Sequence, residues 1–261
     1  NISVGAAYAG NMAHKARHQM NASIMRLSSG NRTLMGGDSA GASIGNNLKA
    51  RASSHYIGAR NAEDGISALL TAESALNEIA QLAIRLRELG IQRDNAALLS
   101  DTMEEAAIDK EAEGINDTIG NIISETKFNE ISLLSTSAAN TLSIGSSVDG
   151  TNNNSITTTN QFVDVSGNTD ADGAENSADA LLEDVALSLG NVAAGISSLK
   201  ARQSVSYASA ANLEAAASRI VDTDFAKETA SLTKASVLNQ SAMAMVAQAN
   251  QAQSAILAVL Q

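Results

Sequence analysis

Few residues in this chain could do chemistry. Its 261 residues include three histidines and no cysteine, which removes thiol nucleophiles, disulfides and Cys-based zinc sites. His14 and His18 stand four apart and would share one face of a helix, as a metal-binding pair does. A zincin-type pair needs HExxH, with a glutamate beside the first histidine, whereas this stretch reads HKARH. Solvated histidines on a polar face are the expectation. Asn168, Asp170, Asp172, Gly173 and Asp179 follow the ligand spacing of a calcium loop, with Asp179 in the place of its closing residue. That place calls for a bidentate glutamate, and the preceding FVDV reads as strand rather than helix. This weak calcium candidate gives way to an acidic turn capping the next helix. The glycine-rich RLSSGNRTLMGGDSAGAS, residues 26–43, lacks GxxxxGK[ST] and follows no strand, so it marks a break between helices rather than a phosphate cradle. With no paired carboxylates in an apolar setting either, there is nothing from which to assemble a catalytic site. No catalytic residue, metal or cofactor is assigned, and an enzyme is not expected.

The elements that carry these residues are helical. Apolar residues make up 44% of the chain but aromatics only 2%, with no Trp, which suits closely approaching helices more than a core of large rings. The complete lack of proline, against an average of about 5%, suits long uninterrupted helices. The net charge of −11 argues against a nucleic-acid surface. No apolar run approaches the length of a membrane span, and no charged-then-apolar leader opens the chain. If the protein is extracellular, its export is expected to proceed without a cleaved secretory signal.

Heptad spacing organises both ends. Near the start, Ala6, Ala13, Met20 and Leu27 recur every seventh residue, with Ala9 and Ala16 three positions on. In the last fifty residues, Asn212 to Gln261, Ala235, Ala242, Ala249 and Ile256 form one row. Leu238, Met245, Ala252 and Val259 form a second, three positions later, and Leu232 extends the apolar face upstream. Together they read as an a/d seam on a single long helix, apolar to its last turn and built to be covered by partners. Between the ends, Ile44, Leu48, Ala52, Ala59, Ala62, Ile66, Leu69, Leu76, Ile79, Ala83 and Leu86 predict one long helix to about Leu89. A shorter helix is expected over Ser100 to Ser124, with Met103, Ala107 and Ile108 among its inward residues, and another from Ala178, with Leu181, Leu182, Val185 and Leu187 inward. Period-two alternation starts at Ile131 and Leu133. LSIG and SITTT around Asp149-Gly150 predict a β-hairpin, and Phe162 to Val165 a further strand.

SRIVDTDFAKETASLTKASVLNQSAMAMVAQANQ resembles the C-terminal region of bacterial flagellin. RLSSGNR and NAEDGISALLTAESALNEI resemble its N-terminal region, and KFNE its TxFNG segment with Glu130 in place of the glycine. The fold so implied is mainly α, a long helical coiled-coil bundle with paired terminal helices and a short β-hairpin. Residues 1–40 and 213–261 would form an inner terminal-helix layer, the filament core. Residues 41–212 would form an outer bundle with a short variable region at about 135–177, lacking large outer domains. The implied function is that of a structural subunit that self-assembles into the extracellular flagellar filament for motility. Subunit packing would run through Ala6, Ala13, Met20, Leu27, Leu232, Ala235, Leu238, Ala242, Met245, Ala249, Ile256 and Val259. Arg26, Leu27, Ser28, Ser29 and Gly30 would be a hinge. Arg85, Leu89 and Glu111 match a surface that animal Toll-like receptors recognise in the family. Further partners implied are other flagellins, hook-associated junction and cap proteins, and an export chaperone. A hook–filament junction protein, or a secreted adhesin that never polymerises, is the alternative.

Overall fold

A computed structural model describes residues 2–33, 38–95, 102–135, 141–145, 153–157, 171 and 173–259. The fold is mainly α. Its helices are α1 (Ile2–Ser29), α2 (Ser39–Asp94), α3 (Thr102–Glu125), α4 (Ala174–Val221) and α5 (Phe225–Val259). Between α3 and α4 lie two antiparallel hairpins, β1 (Lys127–Phe128) with β2 (Ile131–Ser132), and β3 (Thr141–Gly145) with β4 (Asn153–Thr157). The second is the hairpin expected from LSIG and SITTT, with Leu142 opposite Ile156. The further strand expected at Phe162 to Val165 lies outside the described residues. The chain divides into two compact units, Arg51–Ala211 and the combination of Asn1–Ala50 with Asn212–Gln261.

In the unit from Arg51 to Ala211, α2 runs antiparallel to both α3 and α4. Arg85 reaches Glu111 and Arg93 reaches Glu105 on α3, while Arg87 reaches Asp179 on α4. The α2 stripe at Leu69, Leu76, Ile79, Ala83 and Leu86 is fully buried and meets Ile119 and Ile123 of α3 and Leu181, Val185 and Leu199 of α4 in one core. Close approach is bought with glycine at two points on α2. A Cβ on Gly65 would run into Ile144 of β3, and one on Gly90 would lie 2.6 Å from the backbone nitrogen of Glu175. Asn61 Nδ2 donates to the Gly145 carbonyl at 2.8 Å, which ties the longer hairpin to the same helix.

Several residues turn the other way from the expected pattern. Ile44 is exposed, because the inward position there is taken by Gly45, whose missing Cβ leaves room for Val221. Met103 and Ala107 are exposed, the α3 stripe instead running through Ile108, Ala112, Asn116 and Ile119. Leu187 is exposed and Ser188 buried on α4. The alternation read from Ile131 fails too: Ile131 is exposed while Leu133 and Leu134 are both buried, since the strand ends at Ser132. Asn129 and Glu130 form the tight β1–β2 turn with φ of 48° and 66°, the left-handed geometry that favours glycine. By length and composition alone, α4 is apolar enough to cross a membrane. A bundle helix meets the same threshold, and α4 buries Leu181, Val185, Val192 and Leu199 in this core.

In the other unit α1 and α5 pair antiparallel, with Arg26 of α1 beside Glu228 near the start of α5. Here the single helix expected over Asn212 to Gln261 is corrected: it is broken between Val221 and Phe225. Neither glycine nor proline causes the break. Asp224 Oδ1 accepts hydrogen bonds from the amides of Ala226 and Lys227, at 2.9 and 3.1 Å, and so caps α5. Thr223 N donates to the Gly30 carbonyl at 2.8 Å, and Asn31 bridges to Asp222 as a fragment of antiparallel ladder. Short polar side chains that favour caps, together with a β-like partner distant in sequence, outcompete helix continuation.

Candidate functional site

The terminal pair is held by small residues. Ala9, Ala13, Ala16 and Ser23 are buried on α1, and Ala235 and Ala242 on α5, while Ala6, Met20, Leu27, Leu232 and Ala249 are half-buried. Of the predicted packing residues, Leu238 and Met245 are 47% and 60% exposed. The side chains of Ile256 and Val259 lie outside the described residues.

On α5 the covered positions include Leu232, Ala235, Asn239, Ala242, Val246 and Ala249, spaced alternately three and four apart, with Glu228 and Ser236 half-buried as well. This is an uninterrupted heptad stripe. It shares Ala235, Ala242 and Ala249 with the seam read from the sequence. Its other row is Leu232, Asn239 and Val246 rather than Leu238, Met245 and Ala252. The chain therefore uses one flank of the seam internally and leaves the other open. Asn239 was missed because a polar residue does not register in an apolar count. Its Oδ1 is buried without a partner, a placement that in coiled coils sets register at a cost in stability.

The open flank lines a groove of about 450 Å³ between α1 and α5. Tyr8 and Met12 of α1, 64% and 42% exposed, and Leu238 and Met245 of α5 are its large apolar residues. Tyr8 and Met12 also escaped the reading, being off the Ala6–Ala13–Met20 row. Elsewhere on α5, Phe225, Val237 and Met243 are exposed as well. A helix apolar on so many sides is one that further elements bury.

The predicted hinge residues come together where α1 ends. Gly30 has φ of 71°, and its amide donates to the Arg26 carbonyl at 2.8 Å, closing the helix with a left-handed cap. Ser29 Oγ donates to the Met25 carbonyl at 2.8 Å, Ser28 is exposed, and Leu27 is half-buried. The next residues are tied across the unit. Arg32 N donates to the Val221 carbonyl at 2.7 Å and Arg32 Nη2 to the Ile220 carbonyl at 2.8 Å. Asp38, first residue of the DSAGA run, caps α2 by accepting from Gly41 N at 2.8 Å and pairs with Arg32 at 3.2 Å. A polar cleft beside this joint is lined by Arg26, Arg32, Arg219 and Lys227 against Asp38, Asp222, Asp224 and Glu228. Its charges balance, so it is no anion trap.

The remaining candidates fall apart as sites. Arg85 Nη2 binds Glu111 Oε1 at 2.6 Å and Nη1 binds Glu88 at 3.1 Å. Hydrogen bonds to Glu111 and then Glu88 hold the guanidinium above the ordinary arginine range. Leu89, 1% exposed, is buried in the bundle core rather than presented at the surface. Asp179 Oδ1 accepts from Arg87 Nε at 2.7 Å, whereas Asn168, Asp170 and Asp172 lie outside the described residues. His14 and His18 are both exposed on α1. Among the described residues no three His, Asp or Glu side chains gather as metal ligands would.

Residues 2–139 match the bacterial flagellin N-terminal helical region, and residues 174–260 match the bacterial flagellin C-terminal helical region. The chain is similar to the flagellin of Halalkalibacterium halodurans, with 32% identity over 247 residues, covering 90% of this chain and 89% of that one. To the flagellin of Bacillus subtilis it is 30% identical over 275 residues, covering 90% of each. The crystal structure of Bacillus cereus flagellin aligns with 66% of this chain and 93% of its own, at 20% identity and a TM-score of 0.38. That superposition is too loose to bear on how the units are arranged.

Proposed function

Because the chain belongs to the bacterial flagellin family, and is thereby a structural subunit of the extracellular flagellar filament, we propose that it polymerises through the open flank of its α1–α5 pair. The observation that carries this reading is the exposure of Leu238 and Met245 beside Tyr8 and Met12, in a groove whose far side is already closed by the chain itself. A second copy's terminal helices are the occupant. Covering a large apolar side chain contributes about 1.5–3 kcal/mol at most, and one subunit leaves several uncovered on α1 and α5. Two different flanks meeting head to tail form a heterologous contact, which extends as a filament unless its rotation closes. Ala6, Ala13, Met20, Leu27, Leu232, Ala235, Ala242 and Ala249 act one step earlier, by aligning α1 and α5 so that the groove exists. Ile256 and Val259 continue the outer row by their spacing.

The hinge role of Arg26 to Gly30 is supported by the end of α1 at Ser29 and the left-handed Gly30, with the Thr223 contact limiting its travel. The division into a filament core at 1–40 and 213–261 and an outer bundle at 41–212 belongs to the same reading. Other flagellins and the junction and cap proteins would meet the same open flank, and an export chaperone would cover the apolar faces of α5 before assembly. A Toll-like receptor would meet Arg85 and Glu111, with Leu89 reached only if α2 and α3 part.

Seeded growth is the test. Purified subunit is dispersed by brief heating and followed by electron microscopy with and without short filament seeds, beside a variant lacking residues 1–27 and 235–261. Long filaments from the full chain alone are expected. An ordered full-length monomer that ignores seeds, as a junction protein or adhesin would, overturns the reading.

A further inference from the structure

We propose that Met12 and Met245 form a peroxide-sensitive modification site whose oxidation holds the subunit out of the polymer. The proposal rests on the reading of the α1–α5 groove as a subunit contact. Met12 comes from α1 and Met245 from α5, and both line that groove, exposed in the single subunit. A small hydroperoxide can therefore reach them before assembly, whereas a neighbour's helix seated in the groove covers them.

The chemistry needs no further group from the protein. The thioether sulfur attacks one peroxide oxygen, the O–O bond breaks, and an S–O bond forms. Sulfur loses two electrons, and the distal peroxide oxygen, taking the proton from the oxygen now bound to sulfur, leaves as water or an alcohol. The product, methionine sulfoxide, replaces an adaptable apolar side chain with a polar acceptor. The groove has an apolar floor at Ala9, Ala16 and Ala242, with Lys15, Gln19, Lys234 and Ser241 along its lining. In water the sulfoxide is well solvated, whereas under a seated apolar helix it forfeits the apolar burial the thioether supplied, so the modified subunit favours the free state. Enzymatic reduction of sulfoxide to thioether would restore assembly, making the block reversible.

The remaining described methionines allow the site to be isolated. Met20 is half-buried in the α1–α5 pair, Met25 and Met243 are exposed away from the groove lining, and Met103 is exposed on α3. Full-length subunit is treated with hydrogen peroxide, sulfoxide is mapped by peptide mass spectrometry, and the critical concentration for seeded growth is measured. Oxidised wild type is expected to need a concentration higher by about tenfold or more. The double variant Met12→Leu/Met245→Leu is expected to show the same critical concentration before and after peroxide treatment, whatever its own untreated value. As a readout independent of that variant, Met12 and Met245 in preformed wild-type filaments should oxidise about tenfold more slowly than in free subunit. Equal growth before and after oxidation, an equally sensitive double variant, or equal oxidation rates in filament and free subunit would each overturn this proposal alone. Failure of untreated wild type to grow from seeds would instead remove the polymer reading beneath it.

Discussion

The bundle from Arg51 to Ala211 and the terminal helix pair use the same heptad spacing and both bury alanines, but only the bundle adds large, fully buried side chains. All of the largest fully buried side chains among the described residues, from Leu69 to Leu199, belong to the bundle. The terminal pair covers Ala9, Ala13, Ala16, Ala235 and Ala242 and leaves Tyr8, Met12, Leu238 and Met245 in the open. Each buried Leu or Ile removes far more apolar area from water than an alanine does. The bundle can therefore hold itself together, while the terminal pair leaves large apolar side chains that, on the proposed function, other copies cover. One chain thus combines a self-sufficient unit with a conditional one, and the division follows side-chain volume rather than helix length.

The contrast breaks most visibly at Leu238. Leu238→Asp is expected to abolish seeded growth, yet to change the unfolding free energy of the free subunit by no more than about 0.5 kcal/mol, as surface substitutions do. A matching loss of both would mean that the residue belongs to the internal seam after all. In the bundle, Leu76→Ala should cost about 2–5 kcal/mol through the cavity it leaves, measured by urea unfolding of the free subunit. Gly90→Ala comes next. Its Cβ would meet backbone rather than a movable side chain, so a loss of about 1–3 kcal/mol is expected despite alanine's better helix propensity. The smallest effect belongs to the terminal unit: Asp224→Ala removes the α5 cap and should cost about 1 kcal/mol, read as faster amide exchange in the first turn of α5. An unchanged exchange rate there would show that the Gly30–Thr223 contact alone defines the break.

Much of this molecule was legible before its structure. The order of long helices followed from apolar spacing, and the β3–β4 hairpin from two short strand-like runs around Asp149-Gly150. Single residues were misassigned where glycine replaces the expected apolar contact, as at Ile44 beside Gly45, or where a polar residue takes an inward position, as at Ser188 beside Leu187 and at Asn239. An apolar count cannot register either substitution. Glu130 in the β1–β2 turn is a case of the opposite kind: its departure from the family's TxFNG segment is plain in the sequence, but its left-handed backbone shows only in the fold.

Heptad periodicity, the absence of proline and the alanine-rich ends determined by themselves that this is a protein of long, closely packed helices, because those features act locally along the chain. Which flank of α5 closes on α1, and where the last fifty residues divide, only the tertiary structure decided. Both outcomes depend on partners distant in sequence. The antiparallel register of α1 selects Leu232, Asn239 and Val246 over Leu238 and Met245, and the carbonyl of Gly30 draws Thr223 out of the helix.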